Sequence, residues 1–350
     1  MAASQLKKVS LKERAIMVGN VVGINAHHAD RVLLKQRFAE GGYAVRETEH
    51  FLLFTREQPP STIVAHWFAP EAIDANIGHY FIEELKPFGI IGCPDDFGNL
   101  FAAIVGSVHP FHIQEAMRLY ADNSIERYRC ILADKSKAVA HQPINEFATI
   151  YKRVLQLLVG ETVLDAGCSF GFLPLLIAEF APSIKHIAGI DLQTSSFTTV
   201  RAIAQERHFA HVEFKQVDLL SDHFSDSGQY DTVLALHVLE HFNEADMYCV
   251  LVHLLRVTRR RLIVAVPYEP GQAETAYGHE QLFTPAKLES VGQWCQNHCS
   301  DASSMWREEC AGGLLVIDKK PSERSLCTHF SRRKMLHRRH QALASSNCIS

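Results

Sequence analysis

Between residues 143 and 320 the chain repeats one unit: a short, nearly continuous apolar run, then a segment with helical spacing. The runs are "TVLDAG" (162–167), "IKHIAGIDL" (184–192), "VEFKQVD" (212–218), "YDTVLALHV" (230–238) and "RLIVAVPY" (261–268). A strand with one wet face alternates apolar and polar residues, whereas a strand that is apolar throughout must be covered on both faces. Parallel sheets between two helix layers meet that condition. The covering helices are legible too. Asn243 is a good N-cap, Glu244 and Asp246 follow in the first turn, Met247, Val250, Leu251, Leu254 and Leu255 share a face, and Arg256, Arg259 and Arg260 close the segment. Phe197, Val200 and Ile203 mark a second helix, and "FLPLLIAEF" (172–180) a third. After residue 284 come a helix, "TPAKLESVGQWCQ", and two more strands, "SSMWREEC" and "GLLVIDKK". The expected fold is α/β: a doubly wound, mostly parallel, seven-stranded sheet over residues 143–320.

Residues 1–142 are less regular and read as a smaller α+β region that could act as a lid or substrate element. There "YAVRETEHFLLFT" (43–55) and "STIVAHWFA" (61–69) suggest two antiparallel strands, and helical patterns follow around "PEAIDANIGHYFIEEL" and "IQEAMRLYADNSIERYRCILA". The net charge of −4 gives no reason to expect nucleic acid as a partner. Residues 321–350 differ in carrying six Lys/Arg against one Glu, and a disordered basic tail is expected there. Nine scattered cysteines without a CxxC pair suggest reduced thiols and a cytoplasmic location. No segment has the length of a signal-peptide core or a membrane span.

In open α/β sheets, ligands sit outside the carboxyl ends of the strands. The first such end reads "LDAGCSFGF". A dinucleotide fingerprint beginning at Gly167 would need glycines at 169 and 172, where Ser169 and Phe172 stand, so a nicotinamide cofactor is disfavoured. What remains is a tight loop, Gly167–Cys168 to Gly171, preceded by Asp165, a carboxylate able to attract an ammonium group. Asp191 ends the next run, where it can accept from a ribose diol, with Leu192 after it. Asp218 and Leu219 end the third run, an acceptor for an exocyclic amine beside an apolar shelf. An amine, a ribose and a flat base without phosphate describe S-adenosylmethionine (SAM).

With "VLDAGCSFG", "GIDL", "VDLL" and "YDTVLALHVLEHF" in order, the chain resembles the class I SAM-dependent methyltransferases, which have a Rossmann-like fold. The resemblance implies Asp165 near the methionine end, Asp191 at the ribose and Asp218 at the adenine amine. It departs at Ser169, where many members have a second glycine. The segments "GFLPLLIAE", "LIVAVPYEP", "AETAYGHEQLF" and "GGLLVIDKK" further resemble the mycofactocin oligosaccharide methyltransferases. That likeness implies 2-O-methylation of a glucose on the glycan of a peptide-derived redox cofactor. It covers about residues 15 to 320 and not the tail.

The fourth strand ends in "HVLEH", the spacing of a zinc-hydrolase signature. That signature needs a helix to bring His237 and His241 to one face, and no third ligand is evident nearby, so no metal is expected. Transfer to a hydroxyl requires a base, and His241, then His237, are the candidates, with Glu240 orienting a neighbour. "YGHEQLF" places His279 and Glu280 on the substrate side. Tyr43, Phe51, Phe54, Trp67, Phe68 and Tyr80 could stack on a sugar or simply fill a core. A quinone, an amine or another small acceptor, and a SAM-fold binding module without turnover, are the alternatives.

Overall fold

The computed structural model describes residues 15–109, 112–134, 143–224 and 229–320. The expected basic tail lies outside them. Five strands of a seven-stranded sheet run parallel: β6 (Thr162–Ala166), β7 (His186–Asp191), β8 (Val212–Gln216), β9 (Tyr230–Leu236) and β10 (Thr258–Val266). β11 (Ala302–Glu309) and β12 (Gly313–Lys319) extend it in the order β11-β12-β10-β9-β6-β7-β8, with β12 antiparallel to both its neighbours. The doubly wound fold read from the sequence is present. Side chains along β9, and along β10 from Leu262 to Val266, are buried almost without a break, as sheet faces covered on both sides require.

The chain leaves β6 toward β7 and β8, then returns to place β9 on β6's other flank. The exits of β6 and β9 therefore diverge, which opens a crevice at their carboxyl ends. Local chemistry positions the helices around it. The helix after β9, Glu244–Val257, is capped by Asn243, whose side chain accepts from the Asp246 N–H (3.1 Å). The helix Pro285–His298 is capped the same way by Thr284.

The N-terminal region contains a five-stranded sheet, order β1-β2-β5-β4-β3, from β1 (Ala15–Val18), β2 (Val21–Asn25), β3 (Ala44–Glu47), β4 (Phe51–Arg56) and β5 (Ser61–His66). The single strand expected over 43–55 is a hairpin. Thr48 breaks it by accepting from the Phe51 N–H through Oγ1 (3.1 Å). β1 and β2 have no counterpart in the sequence reading, and β2 pairs with β5 in parallel. Tyr43, Phe51 and Phe54 are buried core residues. Phe68 and Tyr80, partly exposed, stack on His50, at 5.5 and 4.1 Å between ring centroids.

One hydrophobic cluster joins the two sheets' helices. It runs from Phe51 and Val64 through Phe81, Leu100, Ile104, Tyr120 and Tyr128 to Phe172, Leu175, Phe197 and Phe214. Among the described residues no helix is long and apolar enough to cross a membrane.

A glycine sets the approach of the N-terminal sheet to its helix Pro94–Ser107. A Cβ on Gly23 of β2 would stand 2.3 Å from the Ala103 carbonyl oxygen. Backbone cannot yield as a flexible side chain does. Gly23→Ala is expected to destabilise the protein by about 1–3 kcal/mol in urea denaturation; an unchanged midpoint would mean the helix is free to move.

Candidate active site

The loop leaving β6 is held by the carboxylate ending β7. The Ser169 N–H donates to Asp191 Oδ2 (2.7 Å), and the Gln193 N–H donates to Oδ1 (2.8 Å). Gly167 and Cys168 both donate to the Ile190 carbonyl (2.8 and 2.9 Å). Ser169 thereby adopts φ +49°, left-handed backbone that costs a non-glycine residue about 1–2 kcal/mol. This is the position where the resembling family often has glycine, and the charge-assisted bond to Asp191 offsets the strain. Gly167 is at φ +77°, and a Cβ there would meet Val238 Cγ2 at 2.5 Å, so the loops leaving β6 and β9 pack directly on each other. Gly171, at φ +76°, starts the helix Phe172–Phe180.

Asp165 lies buried at the end of β6, 3% exposed. Burial first, and then the negative charge of Asp191, push its carboxyl up to about 7. A cation beside it would relieve both effects. Asp191 has used one lone pair on each oxygen and keeps others for hydroxyl donors. Leu192, next in sequence, is 59% exposed, which leaves its apolar side chain free to meet a flat ligand. Asp218 stands past the end of β8, where its Oδ1 accepts from the Leu220 N–H (2.8 Å), while Leu219 and Cys168 are buried. An ammonium-, ribose- and base-bearing ligand suits this donor set. SAM fits these residues.

The second group of residues follows β9. His237 takes φ +54°, and residues Leu239–His241 form a single 3-10 turn. The "HVLEH" segment is therefore not a helix, as expected, but the chain fold brings a partner the spacing could not show. His279 packs against His241, with ring centroids 4.8 Å apart. Candidate ligand atoms of Glu240, His241 and His279 all lie within 4.8 Å of one another. Glu240 is fully buried, and burial above all, then Glu269, pushes its carboxyl up to about 8. Burial, with His279 and His241 adding to it, pushes His237 down to about 3, and its ring lies against Phe147 (4.8 Å). Burial also lowers His241, whose Nδ1 stands 3.3 Å from the Gly278 carbonyl. Glu280 does not join the cluster: its side chain is exposed, and only its N–H is used, donating to the Glu240 carbonyl (2.8 Å).

Glu269 is a residue the sequence reading passed over. It bonds His279 Nδ1 through Oε1 (2.7 Å) and fixes that ring. It stands just past the end of β10, where the strand-end rule would have pointed to it. The N-terminal region closes this side. Lys86 donates to Glu274 (2.5 Å), the Phe97 ring meets Tyr277, and a Cβ on Gly278 would lie 3.0 Å from Pro94 and 3.8 Å from His241 Nδ1.

Residues 163–261 match the family described as a methyltransferase domain. The ubiquinone biosynthesis O-methyltransferase of Acinetobacter baylyi is 30% identical over 84 residues, 24% of this chain and 34% of that protein. The chain thus spans about a third of the length of that relative. The chloroplastic magnesium protoporphyrin IX methyltransferase of Arabidopsis thaliana is 26% identical over 204 residues, 51% of this chain and 64% of its own length. A solved structure of magnesium protoporphyrin IX methyltransferase from Synechocystis PCC 6803 with bound S-adenosylhomocysteine (SAH) aligns with TM-score 0.39 and 19% identity, covering 56% of this chain and 94% of that one. The ends of β6, β7, β8 and β9 lie within the matched residues, and that of β10 lies beyond them.

Asp165 gives this site a pH signature. Its folded value lies above its ordinary one of 3.8, so the folded state holds the proton more tightly. The stability it contributes is complete below about 4 and is lost as pH rises through about 7. Asp165→Asn mimics the protonated form. Without ligand the variant should match the wild type near pH 4 and exceed it by roughly 3–4 kcal/mol near pH 8 in urea denaturation; equal stability at both would show that Asp165 ionises freely.

Proposed function

We propose that the chain is a SAM-dependent O-methyltransferase that acts on a hydroxyl of a small acceptor. The observation that supports this best is the juxtaposition of two differently built halves at the crevice. The exits of β6, β7 and β8 carry carboxylates suited to an ammonium, a ribose and an amine. The exits of β9 and β10 carry the imidazoles of His241 and His279 with Glu240 and Glu269. Bound at the first half, SAM supplies a methyl group on a sulfonium, poised for in-line displacement.

The chain's own residues account for the rest. Asp165 holds the amino group, Asp191 the ribose hydroxyls, and Asp218 with Leu219 and Leu192 the base. Asp191 also sets the shape of the loop beneath, because Ser169 and Gln193 donate to it. Alignment and exclusion of water carry most of a displacement of this kind. His241 takes the acceptor's proton. Partial desolvation, with His279 beside it, lowers its affinity for protons and favours the neutral ring a base needs. His237, shielded behind Phe147 and pushed down to about 3, is the poorer base.

For the acceptor, the sequence segments that resemble the mycofactocin oligosaccharide methyltransferases favour a glucose hydroxyl at the 2-position. The matched relatives are named for ubiquinone and magnesium protoporphyrin IX, which favours another small molecule as the second reading. Labelled SAM offered with glucosylated peptide cofactors, polyphenols and porphyrins separates the two.

His241→Ala should lower kcat by about 100-fold or more while SAM affinity changes less than threefold. A loss of equal size in both would place His241 in the cofactor pocket. Because a base must be neutral and burial lowers His241, the acidic limb of the kcat profile should fall below the ordinary histidine value of 6.5; a limb above it would assign the base elsewhere.

A further inference from the structure

Glu240 presents a problem that methyl transfer does not solve. Its carboxylate is fully buried, and neither oxygen has a hydrogen-bond partner. A buried carboxyl stripped of water and left unpaired costs several kcal/mol, so a structure keeps one where something else satisfies it. His237 Nδ1 stands 3.4 Å from Oε1, too far for a good hydrogen bond. The neighbours that could share a ligand with it are His241 and His279, whose candidate donor atoms lie within 4.8 Å of it and of each other.

His279 is built as a metal-binding histidine would be. Its side chain is buried, and Nδ1 is engaged by the Glu269 carboxylate at 2.7 Å, which fixes the ring and leaves Nε2 as the available nitrogen. A carboxylate behind an imidazole also makes the far nitrogen a stronger donor. The Glu240 main chain is held as well, since its carbonyl accepts from Glu280 N–H (2.8 Å) and Gln281 N–H (3.3 Å). Gln281 in turn donates to the Leu239 and Phe242 carbonyls (3.0 and 2.7 Å). The segment after β10 is thus fastened to the turn after β9, and His279 is delivered to His241 by backbone contacts.

We propose that Glu240, His241 and His279 bind one divalent first-row transition cation, with Glu269 positioning His279. Two imidazoles and one carboxylate are donors that Zn²⁺, Co²⁺ or Mn²⁺ accept while leaving positions open. Metal–donor distances near 2.1 Å put neighbouring donors roughly 3–3.5 Å apart, so the side chains draw in by about an ångström on loading. The absence of a helix at "HVLEH" is no obstacle, because the third donor arrives from another strand end. On the reading of the site given above, an open position faces the acceptor and would take its hydroxyl, lowering the hydroxyl's pKa. In the metal-loaded protein His241 is a ligand and the hydroxyl proton passes to solvent, so the base role given to His241 above belongs to the metal-free protein.

The test is on the full chain, stripped with chelator and titrated with Co²⁺. One equivalent should bind with visible d–d absorption, and Zn²⁺ should displace it. Glu240→Gln and His279→Ala should weaken Co²⁺ binding at least 100-fold and Glu269→Gln by 10–100-fold, while His28→Ala, which removes an exposed histidine, changes nothing. X-ray absorption on zinc-loaded wild type keeps the proposal testable should the variants misfold. Two imidazoles in a nitrogen/oxygen shell are expected, and a sulfur shell or a shell without imidazole would overturn it. So would the absence of stoichiometric binding by the wild type, or equal binding by folded variants. SAH affinity, measured on the same samples, reports separately on the methyltransferase reading. A protein that binds Co²⁺ as described but not SAH would retain the metal site and lose that reading.

Discussion

The Asp191 carboxylate is the interaction on which the cofactor side of this molecule depends. It ends β7 yet holds the loop of β6, through the Ser169 N–H, in a conformation that a serine does not adopt without support. Parallel pairing of β6 with β7 sets the distance over which this is possible, and Gly167, pressed on Val238, sets the distance to β9. A shift of the carboxylate would release the loop, expose the start of the following helix and change the surroundings of Asp165. The exits of β6 and β7 are coupled through one shared side chain, and that of β9 through the contact of Gly167 with Val238.

The acceptor side follows a different logic. There, polar groups are concentrated in an apolar enclosure and are incompletely satisfied: His237 Nε2 and both Glu240 oxygens have no partner. Low dielectric makes such groups costly and sensitive to whatever enters. The N-terminal region supplies much of the enclosure through Pro94, Phe97 and Lys86, and its helices share a core with those flanking β6 to β8. Its role as a substrate-side wall is our proposal. It agrees with the burial of Tyr43, Phe51 and Phe54, which stabilise that region and are not offered to a ligand.

How far the sequence could be read depended on whether information was local. The parallel strands were legible because burial on both faces leaves an uninterrupted apolar run, and the helix after β9 because Asn243 caps it where the residue type suggests. The three acids were legible because strand exits recur along the chain. Of the N-terminal sheet only the antiparallel pairing of β4 with β5 was legible, and the rest was not, for two reasons. β3, mostly exposed, has no alternation to betray it, and its turn at Thr48 contains neither glycine nor proline. β1 and β2 did carry a hairpin signal, Gly19-Asn20 between apolar runs, but the parallel pairing of β2 with β5 spans a separation that no local pattern encodes. The meeting of His241 with His279 is of the same kind. Neither spacing nor residue type predicts it, since it results from β9 and β10 lying side by side.

The central claim is that the exits of β6, β7 and β8 outline a pocket for a nucleoside carrying an amino acid and no phosphate. Calorimetric titration of the full chain with SAH, adenosine and NADH measures this most directly. The account predicts one saturable SAH site, weaker binding of adenosine that competes with SAH, and no heat from NADH. Binding of NADH with none of SAH, or failure of both SAH and adenosine to bind a folded protein, would contradict it.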